Sequence, residues 1–238
     1  MLTFVILFLS AFLAAAISGI AGFGGALLLL PLLTHAVGPV WAVPLLTVAQ
    51  LMGNLARVGF GVRVIRWRAV GVFLLGAIPL SIMGALSFLA LPKTLIVRLI
   101  GLVILLFVGL QSTKRFRLKA GTPLLVIGGG CVGFLSGLVG SAGPLGAATF
   151  LALDLPALAY ISSEATTALV MHAVKLAVYQ QHLHFTPRFW ALALLLGIAM
   201  LLGTWVGKRL IERMPPAVFR RIVTALLVMI AVQMLLWP

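Results

Sequence analysis

Charge is what this chain of 238 residues most lacks. Asp, Glu, Lys and Arg make up 8% of it, and only three residues are acidic, whereas an ordinary soluble domain is about 25% charged. No charged side chain precedes Arg57, so positions 1–56 form an apolar tract interrupted only by Gly, Pro, Ser, Thr, His, Gln and Asn. With 63% hydrophobic residues the chain has too few ions to present a solvated surface. The first tract alone exceeds the roughly 20 apolar residues that one span needs. A soluble globule is excluded, and the composition implies an all-α integral membrane protein crossing the cell (cytoplasmic, inner) membrane several times, with the lipid bilayer as its surroundings.

Other absences narrow the chemistry. One cysteine, Cys131 in a Gly-rich apolar run, excludes an intramolecular disulfide framework and a cysteine-based metal centre, and its simplest role is packing. There is no HExxH metal motif, GxSxG elbow, nucleotide loop or convincing acid pair, which argues against an enzyme and against a primary pump. His182 and His184 lack a clear third ligand, so no metal site is expected. The N-terminus has no basic region and its apolar stretch runs far past a signal-peptide core, so the first segment is expected to stay in the mature protein. The net charge of +14 does not indicate nucleic acid, because the 17 Lys and Arg cluster between apolar segments, as cytoplasmic membrane loops do.

What is present is organised in duplicate. Eight hydrophobic segments run over about 2–34, 40–60, 69–90, 94–112, 123–152, 156–180, 189–207 and 217–237, with short connections and no soluble domain. A shift of 118 residues lays Ser18-Gly19-Ile20-Ala21-Gly22-Phe23-Gly24-Gly25 over Ser136-Gly137-Leu138-Val139-Gly140-Ser141-Ala142-Gly143, and the same ungapped shift carries Asn54 onto His172 and Arg57 onto Lys175. Cation over cation is harder to obtain by chance than Gly over Gly. The chain therefore reads as one transport domain of two homologous four-segment halves, 1–118 and 119–238.

Basic residues orient the halves. If every segment crosses once, the two sides hold eight and seven loop cations. If segments one and five enter and leave on one face, the second half is inverted and the count becomes twelve against three, the asymmetry that cytoplasmic loops show. Length favours the same answer. Segments one and five have about 30 residues each, or roughly 45 Å of helix against a core of about 30 Å. Each is expected to break or re-enter at its glycine cluster, where Gly relieves steric limits and Pro144 suits the first turn of a new helix. Irregular backbone at that depth must be buried or line a cavity, and restarted helices aim N–H groups and a positive dipole end at the break. The clusters Gly22, Phe23, Gly24, Gly25 and Gly140, Ser141, Ala142, Gly143 are thus candidates to hold an anion between the halves, although small residues also serve close helix packing.

At these residues the sequence resembles the sulfite exporter TauE/SafE family of membrane permeases. Gly22-Phe23-Gly24-Gly25-Ala26-Leu27-Leu28-Leu29-Leu30-Pro31-Leu32-Leu33 is similar to its first-half signature. Leu138-Val139-Gly140-Ser141-Ala142-Gly143-Pro144 and Ser162-Ser163-Glu164-Ala165-Thr166-Thr167-Ala168 resemble the second-half elements. The resemblance spans essentially the whole chain; Thr149 where the first half has Pro31, and the charge of Glu164, depart from the pattern. It implies transport, commonly outward, of sulfite, sulfonates or related small sulfur-containing anions, without an organic cofactor.

Few polar groups lie inside segments, and each is costly there. On segment six Glu164, Ala168, Met171, His172 and Lys175 share one helical face, and segment two repeats the stripe with Thr47, Gln50, Asn54 and Arg57. Arg57 and Lys175 are candidates to attract the anion unless they snorkel to the interfaces; Asn54 and His172 are candidates to donate hydrogen bonds to it. Glu164, the one acid well inside a span, is the candidate for carrying a coupling proton or for serving as charge partner to Lys175, although three turns of one helix, roughly 16 Å, separate the two, so that direct pairing needs another arrangement or another helix. The leading expectation is a secondary transporter, most simply an exporter. An anion channel or uniporter is the alternative, and an intramembrane enzyme or receptor comes behind it.

Overall fold

The computed structural model describes residues 2–18, 26–92 and 121–211, with single positions at 95, 98, 102, 105, 106, 109, 228, 232, 235 and 236. Every regular element among them is helical. In chain order they are α1 (Leu2–Ser18), α2 (Ala26–Val37), α3 (Pro39–Phe60), a 3-10 turn (Val62–Val64), α4 (Trp67–Ala90), α5 (Thr122–Val139), α6 (Gly143–Leu151), α7 (Ala157–His182) and α8 (Pro187–Ile211). Segments four and eight fall almost wholly outside the described residues, as does the first glycine cluster.

Four of these helices, α3, α4, α5 and Pro187–Gly207 of α8, are long and apolar enough to cross a bilayer. The more polar α7 runs for 26 residues, about 39 Å, and meets the bundle along α3 and α4. The outward surface carries Leu9, Leu13, Leu75, Met83, Ile127, Leu194 and Trp205, as lipid-facing helices require. Cys131 stands on that outward surface too.

Local sequence explains the breaks. Gly38 takes a left-handed φ of 81° and Pro39 opens α3, a pairing of permissive turn residue and preset first helical residue. α5 stops at Gly140, whose φ is 85°, and α6 restarts three residues later. Segment five is therefore two helices. They run antiparallel: a side chain on Gly128 would collide with Thr149, and one on Gly146 would touch Val132. α5 and α6 form a hairpin whose tip is residues 140–142.

Glycine contacts also give the directions of the other helices. Side chains on Gly129, Gly133 and Gly137 of α5 would strike the carbonyls of Phe73, Ala77 and Ser81 in α4. Gly76 and Gly84 return the relation against Val126 and Phe134. The numbers rise together, so α4 and α5 are parallel and lie backbone to backbone, the approach that small residues permit in lipid. α8 meets α1 in the same sense, with Gly203 on the Phe12 carbonyl and Gly207 on that of Ala16. α3 and α7 are antiparallel: Arg57 meets Glu164, and Gly61 abuts Leu158.

α8 also runs with α3, Gly197 lying on Met52 and Gly53 on Thr204, and α4 runs with α7, from Arg66 at Ser163 to Phe88 at Tyr179, so α1, α3 and α8 point one way and α4, α5 and α7 the other. The described cations Arg63, Arg66, Arg68 and Arg209 consequently share one end of the bundle, and Arg188 lies at the opposite end. At the Arg188 end Trp41, Phe185, Phe189 and Trp190 form a contiguous aromatic group, with Phe185 and Phe189 stacked at 4.1 Å, and α3, α7 and α8 pack there around Leu45, Tyr179 and Leu196.

Candidate functional site

Where α3, α7 and the α5–α6 hairpin meet, the bundle is polar inside. α3 contributes Gln50, Asn54 and Arg57, three successive turns of one face; α7 contributes Glu164, Ala168, Met171 and His172; the hairpin contributes Val132, Ser136, Ser141, Ala142 and Gly143. Together they line a partly open cavity of about 20 Å3, room for about one water.

The two buried charges in its wall face each other. Arg57 Nη1 donates to Glu164 Oε2 at 3.1 Å, and each side chain is only 3% exposed. Arg57 Nη2 donates to Asn54 Oδ1. The guanidinium thereby joins α3 to α7 and fixes the Asn54 amide with its nitrogen turned elsewhere. That nitrogen, Asn54 Nδ2, has no hydrogen-bond partner among the described residues, and neither does His172 Nδ1. A buried polar group left unsatisfied costs about 1–3 kcal/mol, so two of them bordering one cavity mark a place built for a polar guest. Asn54 and His172 are also the pair that the 118-residue shift superposes.

Lys175 does something else. Its ammonium is fully buried and donates to Ser136 O at 3.0 Å, Ser136 Oγ at 2.8 Å and Gly140 O at 3.0 Å. All three protons are committed to the C-terminal turn of α5, where carbonyls lack helical partners and the dipole is negative. One turn on, Tyr179 OH donates to Gly137 O at 2.8 Å. Lys175 and Tyr179 thus moor the hairpin tip to α7, and Lys175 does not border the cavity.

The hairpin's second arm begins weakly capped. Gly143 N–H points to Ser141 Oγ at 3.4 Å, Leu145 N–H and Gly146 N–H are taken by Ala142 O, and Pro144 has no N–H to offer. The positive end of α6 faces the cavity through Ser141–Gly143, but with fewer spare donors than the glycine motif alone implies.

A family model described as sulfite exporter TauE/SafE matches residues 7–234. The chain belongs to the sulfite exporter TauE/SafE family. No curated protein and no solved structure matches it at a significant level. As a TauE/SafE member it is a multi-pass membrane protein of a family of transporters for sulfite and related sulfur anions.

Of the residues that the sequence of this TauE/SafE chain singles out, Asn54, Arg57, Ser141, Ala142, Gly143, Glu164 and His172 come together at one cavity. Gly140 sits at the hairpin tip and gives its carbonyl to Lys175; Gly22, Phe23, Gly24 and Gly25 lie outside the described residues. Gln50 and Ser136 border the cavity without having been singled out as site residues. Gln50 carried a signal, since it stands on the Thr47–Arg57 stripe; Ser136 carried one as the serine that opens the duplicated motif. Val132 carried none, because nothing in an apolar residue of segment five indicates which helix it faces.

Proposed function

We propose that this TauE/SafE chain is a secondary transporter, most simply an exporter, in the cell (cytoplasmic, inner) membrane. Its substrate is sulfite, a sulfonate or a related small sulfur-containing anion. The observation that carries the reading is the pair of buried, unpartnered atoms Asn54 Nδ2 and His172 Nδ1 on one cavity. A hydroxyl pair, Ser136 and Ser141, and the Arg57 guanidinium border the same space, and sulfur oxyanions offer the acceptors that such donors need.

The proposed organisation is two inverted halves, 1–118 and 119–238. It is supported by helix bounds that recur at the 118-residue shift, by the antiparallel course of α3 and α7, and by the exchange in which α1 packs on α8 while α5 packs on α4. The second anion-facing helix end would come from Gly22–Gly25. Lys175 supports the hairpin that presents Ser141–Gly143 and reaches the anion only through it. A cavity of about 20 Å3 holds about one water, and in this reading it widens to admit the anion as access alternates. No catalytic role and no cofactor form part of this reading.

Uptake of radiolabelled sulfite into proteoliposomes of the purified protein, with and without an imposed proton gradient and against empty liposomes, tests it. Saturable, gradient-dependent flux is expected. Saturable flux indifferent to the gradient would identify a uniporter, non-saturating flux a channel, and absence of flux for sulfite, thiosulfate and methanesulfonate alike would overturn the transport reading.

A further inference from the structure

Resting on the reading that an anion enters this cavity, the geometry points to Glu164 as an internal stand-in for that anion: its carboxylate engages Arg57, and an arriving anion takes its place as Glu164 accepts one proton from water. The carboxylate is held where a ligand would be held. Arg57 Nη1 meets it at 3.1 Å, Nη2 is spent on Asn54, and Glu164 Oε1 lies against Gly146, on the first turn of α6 behind Ser141–Gly143. An anion reaching both Asn54 Nδ2 and the guanidinium therefore arrives beside a carboxylate that is 3% exposed. Two like charges at that separation, away from water, cannot both persist, and a buried carboxylate that has lost its arginine is worse off still. Neutralising Glu164 resolves both costs with one proton.

α4 also packs on α7, and its buried face, from Val70 to Phe88, carries no titratable group. From α3 the charged group facing Glu164 is Arg57; from α5 and α6 the neighbours Val132, Ser136 and Gly146 carry no charge. On α7 itself Tyr160 lies one turn away, His172 borders the same cavity, and the ammonium of Lys175 is committed to the end of α5. Arg57 and Glu164 thus cancel; a monovalent anion then leaves one negative charge, which one proton on Glu164 balances, and a divalent anion leaves two, of which Glu164 takes up one. Each anion bound should carry one proton with it, so a proton gradient biases flux in its own direction and export runs on the anion's own outward gradient.

The test uses the full chain in detergent with thiosulfate and methanesulfonate, anions that do not titrate near neutrality. Calorimetric binding in buffers of different ionisation enthalpy reads the protons taken up. The wild-type protein is expected to take up about one proton per anion and to lose about tenfold in affinity per pH unit at alkaline pH. Glu164→Gln should bind with no proton uptake and a flat pH profile, at the affinity that the wild type reaches in acid. Uptake of no protons by the wild type, which needs no variant to fold, overturns the proposal, and so does weaker binding by a monodisperse Glu164→Gln protein at every pH. Arg57→Gln separates the two readings: if it binds both anions as the wild type does, the cavity is not the anion site at all.

Discussion

Arg57 and Lys175 occupy equivalent places in the two halves of the sequence, and they have come to different uses. Arg57 reaches across the bundle, from α3 to Glu164 on α7, and keeps its guanidinium at the cavity wall. Lys175 reaches sideways to the end of α5 and closes three hydrogen bonds there. The divergence has visible causes. Glu164 has Leu46 as its counterpart under the 118-residue shift, so only one half offers a carboxylate; Tyr179, which shares the mooring of α5, has Gly61. The cation types suit the tasks. A planar guanidinium can hold two partners at once, and a compact ammonium can fill a ring of carbonyls. The 118-residue shift lays one cation over the other, and the neighbours at each height make one a part of the cavity wall and the other a support.

The comparison is open to breaking. Lys175→Met should have the largest effect, because it leaves the terminal carbonyls of α5 buried and unpaired; a loss of about 4 kcal/mol is expected, read as a fall of at least about 5 °C in the melting midpoint in detergent. A midpoint within about a degree of wild type would show that Lys175 is no support. Arg57→Gln should invert the pattern, with anion affinity down about 100-fold and, at a pH acid enough to neutralise Glu164, a smaller change in melting. Should the two variants give the same profile, the division of labour between the halves is wrong. Asn54→Ala and His172→Ala test the finer symmetry. Each removes one unpartnered group and is expected to weaken thiosulfate binding about tenfold; His172→Ala should leave the fold's midpoint unchanged or slightly raised, since an unsatisfied polar atom leaves with the side chain, whereas Asn54→Ala also takes the Oδ1 acceptor from Arg57 and should lower it. A fall in binding for Asn54 alone would confine the site to the first half.

Much of this was legible in the sequence, for physical reasons that can be located. The break between α5 and α6 was announced by Gly140 and by Pro144, residues whose backbone preferences act locally. The face shared by Asn54 and Arg57, and that shared by Glu164 and His172, followed from helical period alone. Lys175 lies on the latter face as well, and there the period misleads. Eleven residues beyond Glu164 is about three turns, so the angle is right, but it is also roughly 16 Å along the axis, where the neighbour is the end of α5 and no longer the cavity. Periodicity gives azimuth without giving what stands opposite at each height. The Arg57–Glu164 pair was hidden for the same reason: its partners are 107 residues apart on helices whose contact no local spacing encodes.

The glycine seams of α4 with α5 and of α1 with α8 reach beyond packing. Each seam joins the first helix of one sequence half to a later helix of the other, with carbonyls set so close that even a methyl group would not fit between them. Neither seam can slide or hinge without reopening a backbone contact. The seams tie helices of residues 1–118 to helices of residues 119–238, just as Arg57 on α3 is tied to Glu164 on α7, so neither stretch of sequence stands as a separate body among the described residues.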